Sequence, residues 1–171
     1  MKIVKKLFIL VLLGFCSSAI FAKTISLLSC QKTENTNTII NVINNVETGV
    51  MDVLFNSGHI VTSEKPIIEK NSKDIYDKIL NTYKFETSVQ YLIYIEYTFD
   101  DDQEAFSYNN LININWTLVR VSDKNIVAKK TKKITNKLKD INENKETCQN
   151  LGKQVALEIN NVIMNDINRE G

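Results

Sequence analysis

Past its first 22 residues this chain carries two thiols, Cys30 and Cys148, and one imidazole, His59. A thiolate beside a base can act as a nucleophile, and thiol and imidazole both ligate metals. Neither use has support from spacing. No local signature puts a base beside either cysteine, and these three groups are too few for a zinc-type site. The two cysteines lie 118 positions apart. Paired, they would close a long loop and stabilise by about 4–5 kcal/mol on the chain-entropy view. Unpaired, they are small apolar side chains in a core. His59 follows Gly58 at a strand entrance and reads as a packed or capping residue.

Charge is clustered in two places. Asp100, Asp101, Asp102 and Glu104 lack the ligand spacing and turn glycine of a helix–loop–helix calcium site, so they read as a solvated turn. Lys129, Lys130, Lys132 and Lys133 form a basic stretch, continued by Lys137 and Lys139. Such a stretch can meet anionic polymer or lipid headgroups, or it can guard an exposed edge strand against pairing. Tyr91, Tyr94 and Tyr97 crowd one apolar run, with Tyr91 and Tyr97 on one face and Tyr94 on the other. These tyrosines and Lys129, Lys130, Lys132 and Lys133 are the candidate partner surface. No catalytic, cofactor-binding or metal-binding residue is assigned.

The beginning of the chain gives a compartment. Lys2, Lys5 and Lys6 precede an apolar run from Leu7 to Phe15, and small residues lead to Ala22. That is the layout of an export signal, cut between Ala22 and Lys23. The run is short of the roughly 20 apolar residues a permanent span needs. Residues 1–22 are therefore expected to leave, with 23–171 as one exported domain. Eighteen basic and 20 acidic residues then remain, a charge of −2, which argues against a nucleic-acid partner. Lipid attachment at Cys16 or at Cys30 is the alternative route to a membrane; Cys30 follows Leu27, Leu28 and Ser29.

Periodicity supplies the elements. Thr24 to Cys30 reads as a buried strand. Ile39, Ile43, Val46, Val50 and Leu54 make the stripe of a helix about five turns long, widened by Ile40 and Phe55, capped at Asn37 or Thr38 and stopped at Gly58. His59 to Thr62 is a strand, with Pro66 ending the ladder. A shorter helix follows from about Lys73 to Tyr83. Val89 to Phe99 and Leu111 to Val121 are strands, the second with Ile112, Ile114, Trp116 and Leu118 on one face. Ser122 to Asn125 turns the chain into a return strand, Ile126 to Ile134. A helix from about Glu143 to Asn168 closes it, striped by Cys148, Leu151, Val155, Ile159 and Val162; Gly152 within it implies close packing. The expected fold is α/β (α+β). It has a mixed sheet of about five strands under two long helices and a shorter one, in the order β-α-β-α-β-β-β-α.

Several phrases in this order resemble a family of exported domains: the opening strand Thr24–Ser29, the segment Leu54 to Val61, the strand Val89–Phe99, Trp116 to Val121 with its turn, and the closing helix Cys148–Asn165. That family includes the curli-secretion lipoprotein, the penicillin-binding-protein activator lipoproteins and the amino-terminal domain of the Tol translocation protein. The resemblance implies a non-catalytic adaptor that binds another envelope protein or copies of itself. The expected role is a periplasmic accessory or assembly factor, with peripheral contact with the outer or inner membrane as a further option. No site residue carries over from it. Two other readings stand beside this one: a membrane-anchored lipoprotein subunit of a secretion, flagellar or peptidoglycan-synthesis machine, and an enzyme or small-ligand binder whose site sequence does not reveal.

Overall fold

A computed structural model describes residues 22–31, 37–68, 81, 88–100, 110–135 and 144–170. The elements, in chain order, are β1 (Thr24–Gln31), α1 (Asn37–Asn56), β2 (Ile60–Ser63), β3 (Ile67–Ile68), β4 (Tyr91–Phe99), β5 (Leu111–Arg120), β6 (Asn125–Lys133) and α2 (Asn144–Glu170). The expected helix from Lys73 to Tyr83 lies outside the described residues save for position 81.

The strands form one mixed sheet in the order β2-β1-β4-β5-β6, with β3 also on β1. β1 is central and parallel to β2, β3 and β4, while β4, β5 and β6 are an antiparallel meander. The expected class is met, with one strand more than expected. Pro66 interrupts the edge ladder without ending it, because Ile67 and Ile68 rejoin β1 at Cys30 and Gln31.

Strand alternation divides the sheet into two buried faces. Ile25 and Leu27 of β1, Tyr91 to Phe99 at odd positions of β4, and Ile114, Trp116 and Leu118 of β5 enter one core with the stripes of α1 and α2. On the other face Leu28, Cys30, Leu92, Tyr94 and Val119 form a second, smaller cluster. Two expected core positions are not there. Ile112 is 43% exposed and Phe55 is 70% exposed. The register slips between Thr98 and Phe99, so Leu111 pairs with Phe99 and enters the core in the place expected of Ile112. Phe55 lies one helix position past Leu54, off the buried stripe.

Both helices run opposite to β1. α1 must, as the crossover between parallel β1 and β2. α2 does so because Cys148 is near Tyr97 at the end of β4, while Asp166 bonds Tyr91 at its start. Lying side by side, they touch backbone to backbone. A Cβ on Gly49 would collide with the Gln149 carbonyl, and one on Gly152 with the Val46 carbonyl. Lys153 and Asp52 bridge the outside of this contact at 3.2 Å. Gly58, with φ of +88°, ends α1 in the left-handed region and turns the chain into β2.

Helix propensity alone would favour alanine at Gly152 by about 1 kcal/mol. The expected outcome of Gly152→Ala is nonetheless a loss of about 2 kcal/mol in urea unfolding, because overpacking must part the helices. Asn161→Ala on the exposed side of α2 serves as the control and should be neutral or slightly stabilising. A Gly152→Ala protein as stable as the control would refute the close contact.

Candidate functional site

In open sheets of this kind, ligands bind beyond the carboxyl ends of parallel strands, where neighbouring connections diverge. Here that point falls between β1 and β4: α1 carries the chain from β1 to β2 on one side, while β4 lies on the other. Ser29 of β1 and Tyr97 of β4 point from this end toward the helices, Ser63 closes β2, and Glu47 reaches in from α1. Ser29 and Tyr97 are fully buried and Glu47 nearly so.

The contacts are incomplete. The Ser63 hydroxyl donates to Glu47 Oε2 at 3.2 Å. Glu47 Oε1, Ser29 Oγ and the Tyr97 hydroxyl have no hydrogen-bond partner among the described residues. Ser29 stands close enough to Glu47 and Tyr97 to temper the titration of both, yet outside full hydrogen-bond geometry. Burial raises the Glu47 carboxyl above its ordinary 4.5, and Ser29 and Ser63 offset part of that rise. Burial likewise pushes the Tyr97 phenol up, with the Glu47 charge adding to it. Cys148, on the same side, has its thiol pushed up to about 12 by burial. A thiol so shifted is a poor nucleophile. Sequence reasoning missed Glu47 and Ser29; the cue was a carboxylate directly beside Val46 on the apolar stripe of α1.

A second polar knot closes the opposite end. Arg120 grips Asp166 with Nε at 3.2 Å and Nη2 at 2.6 Å, and the Tyr91 hydroxyl donates to Asp166 at 2.7 Å. Arg120 Nη1 also reaches Asp123 at 2.9 Å. Burial raises the Asp166 carboxyl, but the bonds from Arg120 and Tyr91 and the charges of Arg120 and Arg169 outweigh it, leaving it below 3.8. A recess of about 200 Å³ opens beside this knot, lined by Val127, Ala128, Val162, Asn165, Asp166 and Arg169.

The residues singled out from sequence are dispersed. Tyr91 and Tyr97 are buried beneath the helices and Tyr94 is buried on the other face, so none of the three is a surface for a partner. Cys30 and Cys148 are buried on opposite faces of the sheet and are not joined to each other, which argues against the long-loop disulfide in this fold. Lipidation at Cys30 fares no better: it would make Cys30 the first residue and remove Thr24–Ser29 from the central strand. Cys16 lies outside the described residues, as does the acidic cluster after Asp100. His59 is buried, taking the Lys23 backbone N–H on Nδ1 at 3.2 Å and lying 2.8 Å from Asn160 Oδ1 through Nε2. Nε2 therefore carries the proton, and the ring joins β2 to α2. Lys130 stands over the Trp116 ring at 5.7 Å and Lys132 pairs with Glu158 at 3.7 Å, while Lys129 and Lys133 lie exposed on the opposite face. Among the described residues, no three of His, Cys, Asp and Glu gather as a metal site, and no helix is long and apolar enough to cross a membrane.

Over residues 24–164 the chain matches the model of a family described as "Uncharacterised protein", and it belongs to that family. No curated protein matches it in sequence. Similar solved structures include TolB from Acinetobacter baumannii, at 9% identity and a TM-score of 0.43, covering 83% of this chain and 28% of that one. The chain thus spans little more than a quarter of TolB. The PelC dodecamer from Paraburkholderia phytofirmans aligns at 12% identity and 0.45, over 79% of this chain and 86% of that one. Lipoprotein GNA1162 from Neisseria meningitidis aligns at 10% and 0.44, over 82% and 96%. At these scores no part of the functional reading rests on them.

The two carboxylates differ in sign. The raised Glu47 favours its protonated form in the fold, so its contribution is lost as pH rises through the folded value. Glu47→Gln is therefore expected to be the more stable protein at pH 7, with the gap closing toward pH 4. The lowered Asp166 contributes above its unfolded value and loses that contribution as pH falls. Asp166→Asn should cost about 2 kcal/mol at pH 7, the scale of a hydrogen bond to a charged group, and progressively less in acid. Thermal unfolding across pH checks both.

Proposed function

We propose that the chain is an exported, non-catalytic accessory protein of the bacterial envelope, acting through contacts with another protein or with copies of itself. Support for export is the leader: a basic start, an apolar run and small residues ending at Ala22. The observation that carries the contact reading is where the reactive side chains go. Glu47, Tyr91, Tyr97, His59, Cys30, Cys148 and Asp166 are all buried, and most are spent joining strands to helices. Among the side chains that face solvent are large apolar ones: Phe55 and Ile60, 70% and 62% exposed, flank the α1–β2 turn beside the β2 edge. Apolar groups gathered at an edge are the ordinary material of a protein interface.

The test uses the protein expressed with its own leader in a two-membrane bacterium. Intact-mass measurement of the periplasmic fraction should find a chain beginning at Lys23. A photo-crosslinking residue at Ile60 should give discrete protein adducts in cells, and one at the buried Ile159 should give none. Native protein held in the cytosol with Met1 attached would overturn the proposal.

A further inference from the structure

β6 closes one side of the sheet, pairing with β5 alone among the described residues. Its free side can be read from the ladder. The Ile134 N–H donates to the Ile112 carbonyl at 2.8 Å, in the same register that sets Lys133 opposite Asn113. In an antiparallel pair, bonding toward the partner alternates with bonding away from it. Residues 132 and 130 therefore turn their backbone groups toward β5, and Lys129, Thr131 and Lys133 turn theirs outward.

The same three residues share a sheet face. They stand opposite Thr117, Asn115 and Asn113, on the side away from the helices. A polar ladder runs across that face to the edge: Asn115 Nδ2 donates to Glu96 at 3.3 Å, and the Thr131 hydroxyl donates to Asn115 Oδ1 at 2.7 Å. Lys129 and Lys133 flank the end of this ladder, each two residues from Thr131. The bulge near Ile126 is confined to the start of β6, so Ala128 to Lys133 remains a regular edge. A second copy presenting the same strand would set lysine against lysine, which is unfavourable.

We infer that the β6 edge takes an acidic, extended segment of a partner protein as an added strand. Its backbone pairs with Lys129, Thr131 and Lys133, and its acidic side chains fall opposite Lys129 and Lys133 with a small polar residue between. This deepens the protein-contact reading above by naming the partner's chemistry. An extended peptide fits better than a polyanionic glycan or a lipid surface, because only a peptide uses the outward N–H and C=O groups.

The probe is a synthetic peptide with the core Glu-Val-Thr-Val-Glu, capped at both ends and suited to either strand direction. It is titrated into the protein expressed with its own leader. The expected result is saturable binding that slows hydrogen exchange at Lys129, Thr131 and Lys133 while leaving residues 130 and 132 unchanged. A Lys129→Glu, Lys133→Glu double variant, altered only at exposed positions, should bind about tenfold more weakly, as two reversed cross-strand pairs imply. A Lys-Val-Thr-Val-Lys peptide should recover binding to that variant. Three results would overturn the inference: no binding to the wild type, equal binding by a peptide N-methylated at alternate amides, or equal affinity for polyglutamate or phosphatidylglycerol vesicles. Any of them would leave export and the Ile60 crosslinks untouched, so the failure of this edge is distinguishable from failure of the broader reading.

Discussion

The rest of the structure depends on two helices meeting without side chains between them. Gly49 and Gly152 let the α1 and α2 backbones approach until each would exclude a methyl group from the other. Side chains that would otherwise fill the seam are turned down toward the sheet. Ile43, Val46 and Val50 from α1 and Leu151, Val155 and Ile159 from α2 thus enter one core with the odd residues of β4. The tight seam makes the two helices one lid, wide enough to cover β1, β4 and β5 together. Small residues here are a packing requirement that overrides their weak helix propensity.

That lid explains where polar groups are tolerated. At its upper end it closes over Ser29, Glu47 and Tyr97, whose oxygens are buried with fewer partners than they can use. Burying such groups costs free energy unless they are bonded, and Glu47 answers by favouring its neutral form. At its lower end Asp166 keeps its charge, because Arg120 forks onto it and Tyr91 adds a donor. Two carboxylates on parallel helices therefore titrate in opposite senses: among the described residues, Asp166 has Arg120 and Tyr91 to hold its charge, while Glu47 has serine hydroxyls against its burial.

Much of this was legible in residue order. The stripes of α1 and α2 were visible because a helix repeats every 3.6 residues and apolar residues follow it for several turns. Gly152 announced the close contact, although its partner Gly49 did not. The sequence pattern failed where a single position changes the face. One bulge at Thr98/Phe99 brings in Leu111 and turns out Ile112, and no local signal distinguishes the two isoleucine-rich alternatives. The aromatic run of β4 looked like a surface because both of its faces are apolar. Both faces are in fact covered, so its tyrosines are core. The lysines on β6 were visible as a cluster; which of them share an edge with free backbone depends on strand register, which appears only when β5 and β6 are paired.

The junction between leader and domain is equally dependent on pairing. Lys23 is already part of the fold: its carbonyl accepts from Ile60 and its N–H donates to His59. Thr24 follows as the first residue of the central strand and accepts from Gln90. Cleavage after Ala22, as proposed, would turn the Lys23 amide nitrogen into a charged amine 3.2 Å from an imidazole nitrogen that must accept, not donate. The His59 bond to Asn160 fixes that acceptor by holding the proton on Nε2. A charged donor strengthens such a bond. Removal of the leader would therefore tighten the contact between the start of β1, β2 and α2.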